Sequence, residues 1–166
     1  MRRHANEVCL VCVDVRSAHN IGSLFRTCDG FGAELYVVGA SPRPAYKNDT
    51  RLPHVVENAE KQISKTALGA EKSVPWQYAE TLVECINNLR KLDYHIVAIE
   101  QSISSRPMNS LHKQGKIALI VGRELEGLRQ NELALCDAIH EIPMYGVKES
   151  LNVSVAAGIA LYEVRR

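Results

Sequence analysis

The stretch Lys116-Ile117-Ala118-Leu119-Ile120-Val121-Gly122-Arg123-Glu124 runs five apolar residues into a glycine and then two opposite charges. A strand wetted on one face alternates apolar with polar residues. An unbroken apolar run therefore predicts a strand buried on both faces, as in a parallel sheet covered by helices. Its end delivers Arg123 and Glu124 to the carboxyl edge of the sheet, where open α/β folds bind ligands. Gly122 permits close backbone approach. The plainer alternative is a turn carrying a solvated Glu124.

Outward from this strand, residues 7–15 are rich in Val and Cys and predict a second buried strand. Residues 17–20 supply N-cap candidates for a helix to about Asp29, stopped by Gly30 and Gly32. A short strand is expected over 34–38. Residues 41–54, with three prolines, read as a loop long enough to carry substrate contacts. A helix over 56–64 and an irregular stretch over 68–76 follow. Leu82, Val83, Ile86 and Leu89 lie at helical spacing within 80–91, ahead of a strand at 95–100. Beyond the central strand come a short helix at 131–136, a strand at 138–142 and a final helix at 151–164. Strands alternating with helices predict an α/β fold, a mainly parallel sheet with helices on both faces, in a single domain over 1–166. The alternation fits a flavodoxin-like and a nucleotide-binding domain equally well.

The composition, 46% hydrophobic and 23% charged over 166 residues, excludes low-complexity and disordered classes. No apolar run approaches the roughly 18 residues that span a bilayer, and Met1-Arg2-Arg3-His4 does not open a secretory signal. A soluble, cytoplasmic protein without a membrane partner is expected. Cys9, Cys12, Cys28, Cys85 and Cys136 are odd in number and sit in core segments, which suits reduced thiols. Cys9 and Cys12 have no second pair at zinc-site spacing, and on one strand they would face opposite ways, so no metal is expected. The formal charge of +1 leaves nucleic-acid binding to local patches, with Arg2, Arg3, Arg43, Lys47, Arg51, Lys61, Lys65 and Lys72 as candidates. No Gly-x-Gly-x-x-Gly follows the first strand, and Gly69-Ala-Glu-Lys-Ser73 lacks the earlier glycine of a phosphate loop.

Two further polar clusters mark helix starts. Asn20 and Arg26, in Asn20-x-Gly22-x-x-x-Arg26-Thr27, either face one cleft or are a helix cap and a solvated cation. In Ser150-Leu151-Asn152-Val153-Ser154 three polar residues open an otherwise apolar helix. Capping needs only one of them, so the surplus points to a site.

In order and spacing the three clusters resemble the SpoU/TrmH-like branch of the SPOUT RNA methyltransferases. The likeness runs from about Val11 to Glu163. It rests on His19-Asn20-Ile21-Gly22 through Arg26-Thr27 to Gly30-Phe31-Gly32-Ala33, on residues 119–128, and on Ile142-Pro143-Met144 through Ser150-Leu-Asn-Val-Ser154. The resemblance implies a C-terminal deep trefoil knot, a rare exception to unknotted chains, and a homodimer packed through it. It implies S-adenosylmethionine held by Val121, Gly122, Ile142, Met144, Leu151 and Asn152. It also implies methyl transfer to a ribose 2′-hydroxyl of structured RNA, tRNA or rRNA, at a site lined by Asn20, Arg26, Glu124, Ser150 and Asn152.

The family assigns the Arg26 position a general-base role assisted by RNA phosphate. A guanidinium stays protonated in proteins. The expectation here is that Arg26 positions phosphate and stabilises developing alkoxide, that Asn20 and Asn152 orient groups, and that the proton leaves through phosphate or water. Arg123 departs from the family's usual Gly-Asn-Glu and is expected to alter substrate choice or reach the RNA backbone. The alternatives are a catalytically weak RNA-binding module with the same knotted fold and a base-methylating enzyme.

Overall fold

The computed structural model describes residues 7–113 and 115–166. Strands β1 (Glu7–Val13), β2 (Glu34–Val38), β3 (Trp76–Ala79), β4 (Tyr94–Ile99), β5 (Arg106–Pro107), β6 (Lys116–Val121) and β7 (Ala138–Glu141) form one sheet in the order β3-β2-β1-β6-β4-β7-β5. Every pairing between them is parallel. Helices α1 (Ala18–Phe31), α2 (Pro53–Ala67), α3 (Ala70–Ser73) and α6 (Val153–Arg165) cover one face. The other carries α4 (Leu82–Lys91) and α5 (Gln130–Leu133).

The central strand behaves as its apolar run predicts. Ile117, Leu119 and Val121 of β6 enter the core beneath α1 and α6, while Ala118 and Ile120 enter the core beneath α4. In β1, Cys9 and Cys12 likewise fall in opposite core layers. Burial pushes the Cys12 thiol up to about 12, far from reactivity at neutral pH.

The order of strands creates the site. From β1 the chain moves outward through β2 to β3, then crosses to β4 and β5 on the other side. β6 then enters between β1 and β4, and β7 between β4 and β5. Each late strand thus returns between strands already laid down, the kind of return a threaded chain makes. The direction of winding reverses beside β1, and the crevice beyond the carboxyl ends of β1 and β6 is where such sheets take ligands.

Several expectations are corrected. Helix α1 continues through Gly30 and closes at Gly32, which adopts φ 61°. The loop expected over 41–54 ends earlier, because Pro53 occupies the first turn of α2. The stretch 68–76, expected to be irregular, holds α3 and the start of β3, elements too short for periodicity to show. Two of the basic residues of the 41–52 loop, Arg43 and Arg51, are engaged within the protein. Arg51 is paired with Asp49 and donates to the carbonyls of Arg43 and Pro44, and Arg43 lies 3.6 Å over the Tyr78 ring. Arg2 and Arg3 lie outside the described residues. Among these residues no helix is long and apolar enough to cross a membrane.

Candidate active site at the carboxyl edge of the sheet

Helix α1 starts directly after β1, and Ser17 caps it by accepting from the Asn20 N–H at 3.2 Å. The Glu124 carboxylate, brought by the loop that follows β6, sits at the same helix end. It accepts from Arg16 N at 3.1 Å, Ser17 N at 3.0 Å and Asn20 Nδ2 at 3.1 Å. Unpaired N–H groups and a positive helix end favour an anion there. Burial alone would raise the Glu124 pKa, but these donors outweigh it and hold the carboxyl below the usual carboxylate range.

The chain of contacts continues into the third cluster. Asn152 Nδ2 donates to Asn20 Oδ1 at 3.2 Å, and Asn152 Oδ1 accepts from Ser154 N at 2.9 Å as the cap of α6. Residues more than a hundred positions apart in sequence therefore form one line, Glu124 to Asn20 to Asn152 to Ser154.

Beside this line opens a cavity of about 190 Å³. Val121, Gly122, Ile142, Met144 and Leu151, all expected to bind a cofactor, line it, as do Glu124 and Ser150. Asn152 and Asn20 lie outside the lining, joined to it through Glu124. Arg26 is not brought there: it lines a different groove, between α1, α2 and α6. The apolar wall suits a heterocyclic ring. Glu100, Glu124 and Glu126 also line the cavity, three carboxylates against the one guanidinium of Arg123, which is itself paired with Glu132 and Asp14, and that balance suits a cationic ligand.

The loop itself is held tightly. An antiparallel bridge joins Arg123 to Gly127, and a β-carbon at Gly122 would meet the Gly127 carbonyl carbon at 2.5 Å and Leu128 N at 2.7 Å. Leu128 N donates to Glu100 Oε2 at 2.8 Å, fixing the loop to the end of β4. Sequence reasoning missed Glu100, although it ends an apolar strand as Glu124 ends the approach from β6. Gln101 was also missed; its amide donates to Glu149 O at 2.6 Å and ties the 142–152 segment to the same edge.

Arg123 corrects an expectation. Its side chain, 7% exposed, turns into the protein and pairs with Glu132 at 2.8 Å and Asp14 at 2.5 Å, and it also donates to Gly127 O. Glu132 first, then Asp14, hold its charge more firmly than usual. With both terminal nitrogens bonded to Glu132, Asp14 and Gly127 O, this guanidinium braces the loop.

Fold and cavity together define an α/β domain with its candidate ligand site at a topological switch point, lined by apolar and mainly acidic side chains. The SpoU rRNA Methylase family matches residues 7–162, and the chain belongs to that family. It is 34% identical over 157 residues to the 23S rRNA (guanosine-2′-O-)-methyltransferase RlmB of Xylella fastidiosa, a match covering 95% of this chain and 57% of that protein. It thus spans less than two thirds of the length of the curated relatives. The crystal structure of the A. aeolicus TrmH/SpoU tRNA modifying enzyme matches with TM-score 0.78 and 28% identity, over 99% of this chain and 75% of that one. An AdoMet-bound rRNA methyltransferase from Sinorhizobium meliloti matches with TM-score 0.76 and 25% identity, over 96% and 56%.

Proposed function

We propose that this chain transfers a methyl group from S-adenosylmethionine to a ribose 2′-hydroxyl of ribosomal or transfer RNA. The observation that carries the reading is the hydrogen-bonded line from Glu124 through Asn20 to Asn152, which joins three distant motifs beside an acid-lined cavity. The RlmB relative is named for 2′-O-methylation of guanosine in 23S rRNA, and the Sinorhizobium structure for bound AdoMet.

The cavity fits that cofactor. Ile99, Val121, Ile142 and Leu151 offer an apolar seat for adenine, and the three glutamates of the same lining favour positive charge. Bound there, S-adenosylmethionine supplies an electrophilic methyl on a cationic sulfur. The protein's part is to orient the ribose and manage its proton. Asn20 and Asn152 direct amide groups toward the hydroxyl, and the displaced proton passes to RNA phosphate or water.

Arg26 lines no part of the cofactor cavity of its own chain, so in this reading it acts at that of a second copy. Val155, Ile159 and Tyr162 form an exposed apolar stripe on α6, at 49%, 38% and 58% exposure, and Leu151 extends it toward the cavity. Burying such a stripe against its symmetry mate stabilises a two-fold dimer, and in this reading that dimer is what brings Arg26 to the partner's cavity. The return of β7 between β4 and β5 supports the knotted threading. Five free cysteines, four of them buried and Cys136 half-buried, suit the reducing cytoplasm.

Calorimetric titration with S-adenosylmethionine, followed by labelled-methyl transfer to tRNA and rRNA and nucleoside analysis, tests the proposal. Label in a 2′-O-methyl nucleoside supports it. Label in a base assigns the chain to base methylation, and absence of both binding and transfer sinks the reading.

A further inference from the structure

Among the described residues four large apolar side chains stand almost wholly in solvent: Ile103 at 109% exposure, Leu125 and Val147 at 99% and Tyr145 at 95%. The next most exposed, Leu68, is at 66%. All four sit on the loops that follow β4, β6 and β7, strands that lie side by side in the sheet, and those same loops wall the cofactor cavity. Leu125 lines the cavity itself. Ile103 comes just after the lining residue Gln101, and Tyr145 directly follows the lining residue Met144. None of the four belongs to the α6 stripe.

A single exposed apolar side chain is ordinary and needs no ligand. A set confined to the rim of one concavity is different, because apolar surface gathered in one place favours whatever removes it from water. The position of the rim says what that is. For methyl transfer the acceptor oxygen must lie about 3 to 3.5 Å from the methyl group, so the acceptor ribose occupies the mouth of the cavity. The base attached to that ribose then reaches the rim. Charge sorts the rest of the nucleotide: Glu100, Glu124 and Glu126 disfavour a phosphate at the mouth, whereas a base is neutral and its faces are flat and apolar. The Tyr145 ring is the one flat partner the rim offers. A β-carbon at Gly146, beside it, would meet nothing within 4 Å, so the tip of this loop stands clear of the protein.

We infer that Tyr145 stacks on the base of the nucleotide being methylated, inside an apolar collar of Ile103, Leu125 and Val147, and that the acceptor is therefore an unpaired nucleotide. A base in an RNA duplex is covered on both faces by its neighbours. Only a base splayed out of a loop, bulge or single strand has a face to give to an aromatic side chain. The inference rests on the RNA methyltransferase reading and deepens it by naming the class of substrate and a substrate-binding residue.

Stacking tolerates any base, so the probe is an RNA of about twelve nucleotides without self-complementarity, compared with the duplex it forms with its complement. Affinities are measured by fluorescence anisotropy with S-adenosylhomocysteine present. Tyr145→Ala weakens binding of the single strand about tenfold, Tyr145→Phe stays within about twofold of wild type, and neither changes duplex binding. In Tyr145→Trp the single strand quenches the new indole and the duplex does not. Wild type, whose sole tryptophan is Trp76 on the far edge strand β3, shows no quenching by either. Tyr145→Ala keeps its far-UV spectrum, its S-adenosylmethionine affinity and its sedimentation. Equal single-strand affinity for wild type and Tyr145→Ala overturns the inference, as does an equal loss of duplex binding. Loss of S-adenosylmethionine affinity in Tyr145→Ala, with the fold intact, would instead make the ring a cover for the cofactor, and loss of self-association would make the rim an interface between copies; either overturns it. So does a wild type that binds neither RNA; continued S-adenosylmethionine binding then spares the methyltransferase reading, and its absence ends both.

Discussion

An ionised Glu124 can only accept, so the two backbone N–H groups and the Asn20 amide that reach it all donate. Asn20 Oδ1 is thereby turned to accept from Asn152, whose own Oδ1 takes the N–H that caps α6. One carboxylate orients both amides. Because Asn20 lies outside the cavity lining, Asn20→Ala should keep cofactor affinity within about twofold yet slow methyl transfer about 100-fold, the cost of a misplaced reactant. Calorimetry and single-turnover kinetics separate the two effects. Arg123 works on the same loop by another route. Arg123→Ala strands Glu132 and Asp14 without their cation, and urea unfolding should show a loss of about 3 kcal/mol at neutral pH. The pairing with Arg123, foremost for Glu132, holds that carboxyl low. At Asp14, burial would raise the pKa, but the Ala40 N–H and then Arg123 overcome it. Stability from a lowered carboxyl is present above its unfolded value, about 4, and is lost as pH falls through the folded one. The gap between wild type and Arg123→Ala therefore narrows as pH drops from about 5 toward 3.

At the scale of elements, the turn after β6 decides whether the cavity exists. Since a β-carbon at Gly122 meets backbone atoms of Gly127 and Leu128, Gly122→Val must push the loop off β4. The expected outcome is loss of measurable S-adenosylmethionine binding with an unchanged far-UV spectrum. Binding at wild-type strength would mean that the loop does not shape the cavity. The same elements show what a sequence can reveal. β2 and β6 were legible to the residue, because strands buried on both faces write their length as apolar runs. Glu124 was legible as a site candidate for the same reason, standing just past such a run. Arg26 was misjoined to Asn20, although six residues of helix rotate a side chain to about 120° from its start. Arg123 was beyond sequence reading: its partners lie 109 and 9 positions away, and only the fold makes a buried cluster of them. β3 has four residues at a sheet edge, too few to set a period.

For the whole molecule the question is which chain's Arg26 serves which cavity. Within one chain the cavity lies past the ends of β4 and β6, whereas Arg26 lies on the outer surface of α1 and shares its groove with α2 and α6. In the dimer proposed through the α6 stripe each site would be composite, with the cavity and the Glu124–Asn20–Asn152 line from one copy and the arginine from the other. Composite sites can be rebuilt from two damaged halves. Chains carrying Arg26→Ala keep an intact cavity, and chains carrying Gly122→Val keep Arg26. Co-refolded in equal amounts, half the dimers are mixed, and each mixed dimer holds one complete site. Methyl transfer should therefore recover to about a quarter of wild type, although each variant alone is nearly inactive. If Arg26 serves its own chain, each site in a mixed dimer lacks either its arginine or its cavity, and the mixture stays as inactive as its components. The size of the recovery thus reads out the geometry of the assembly directly.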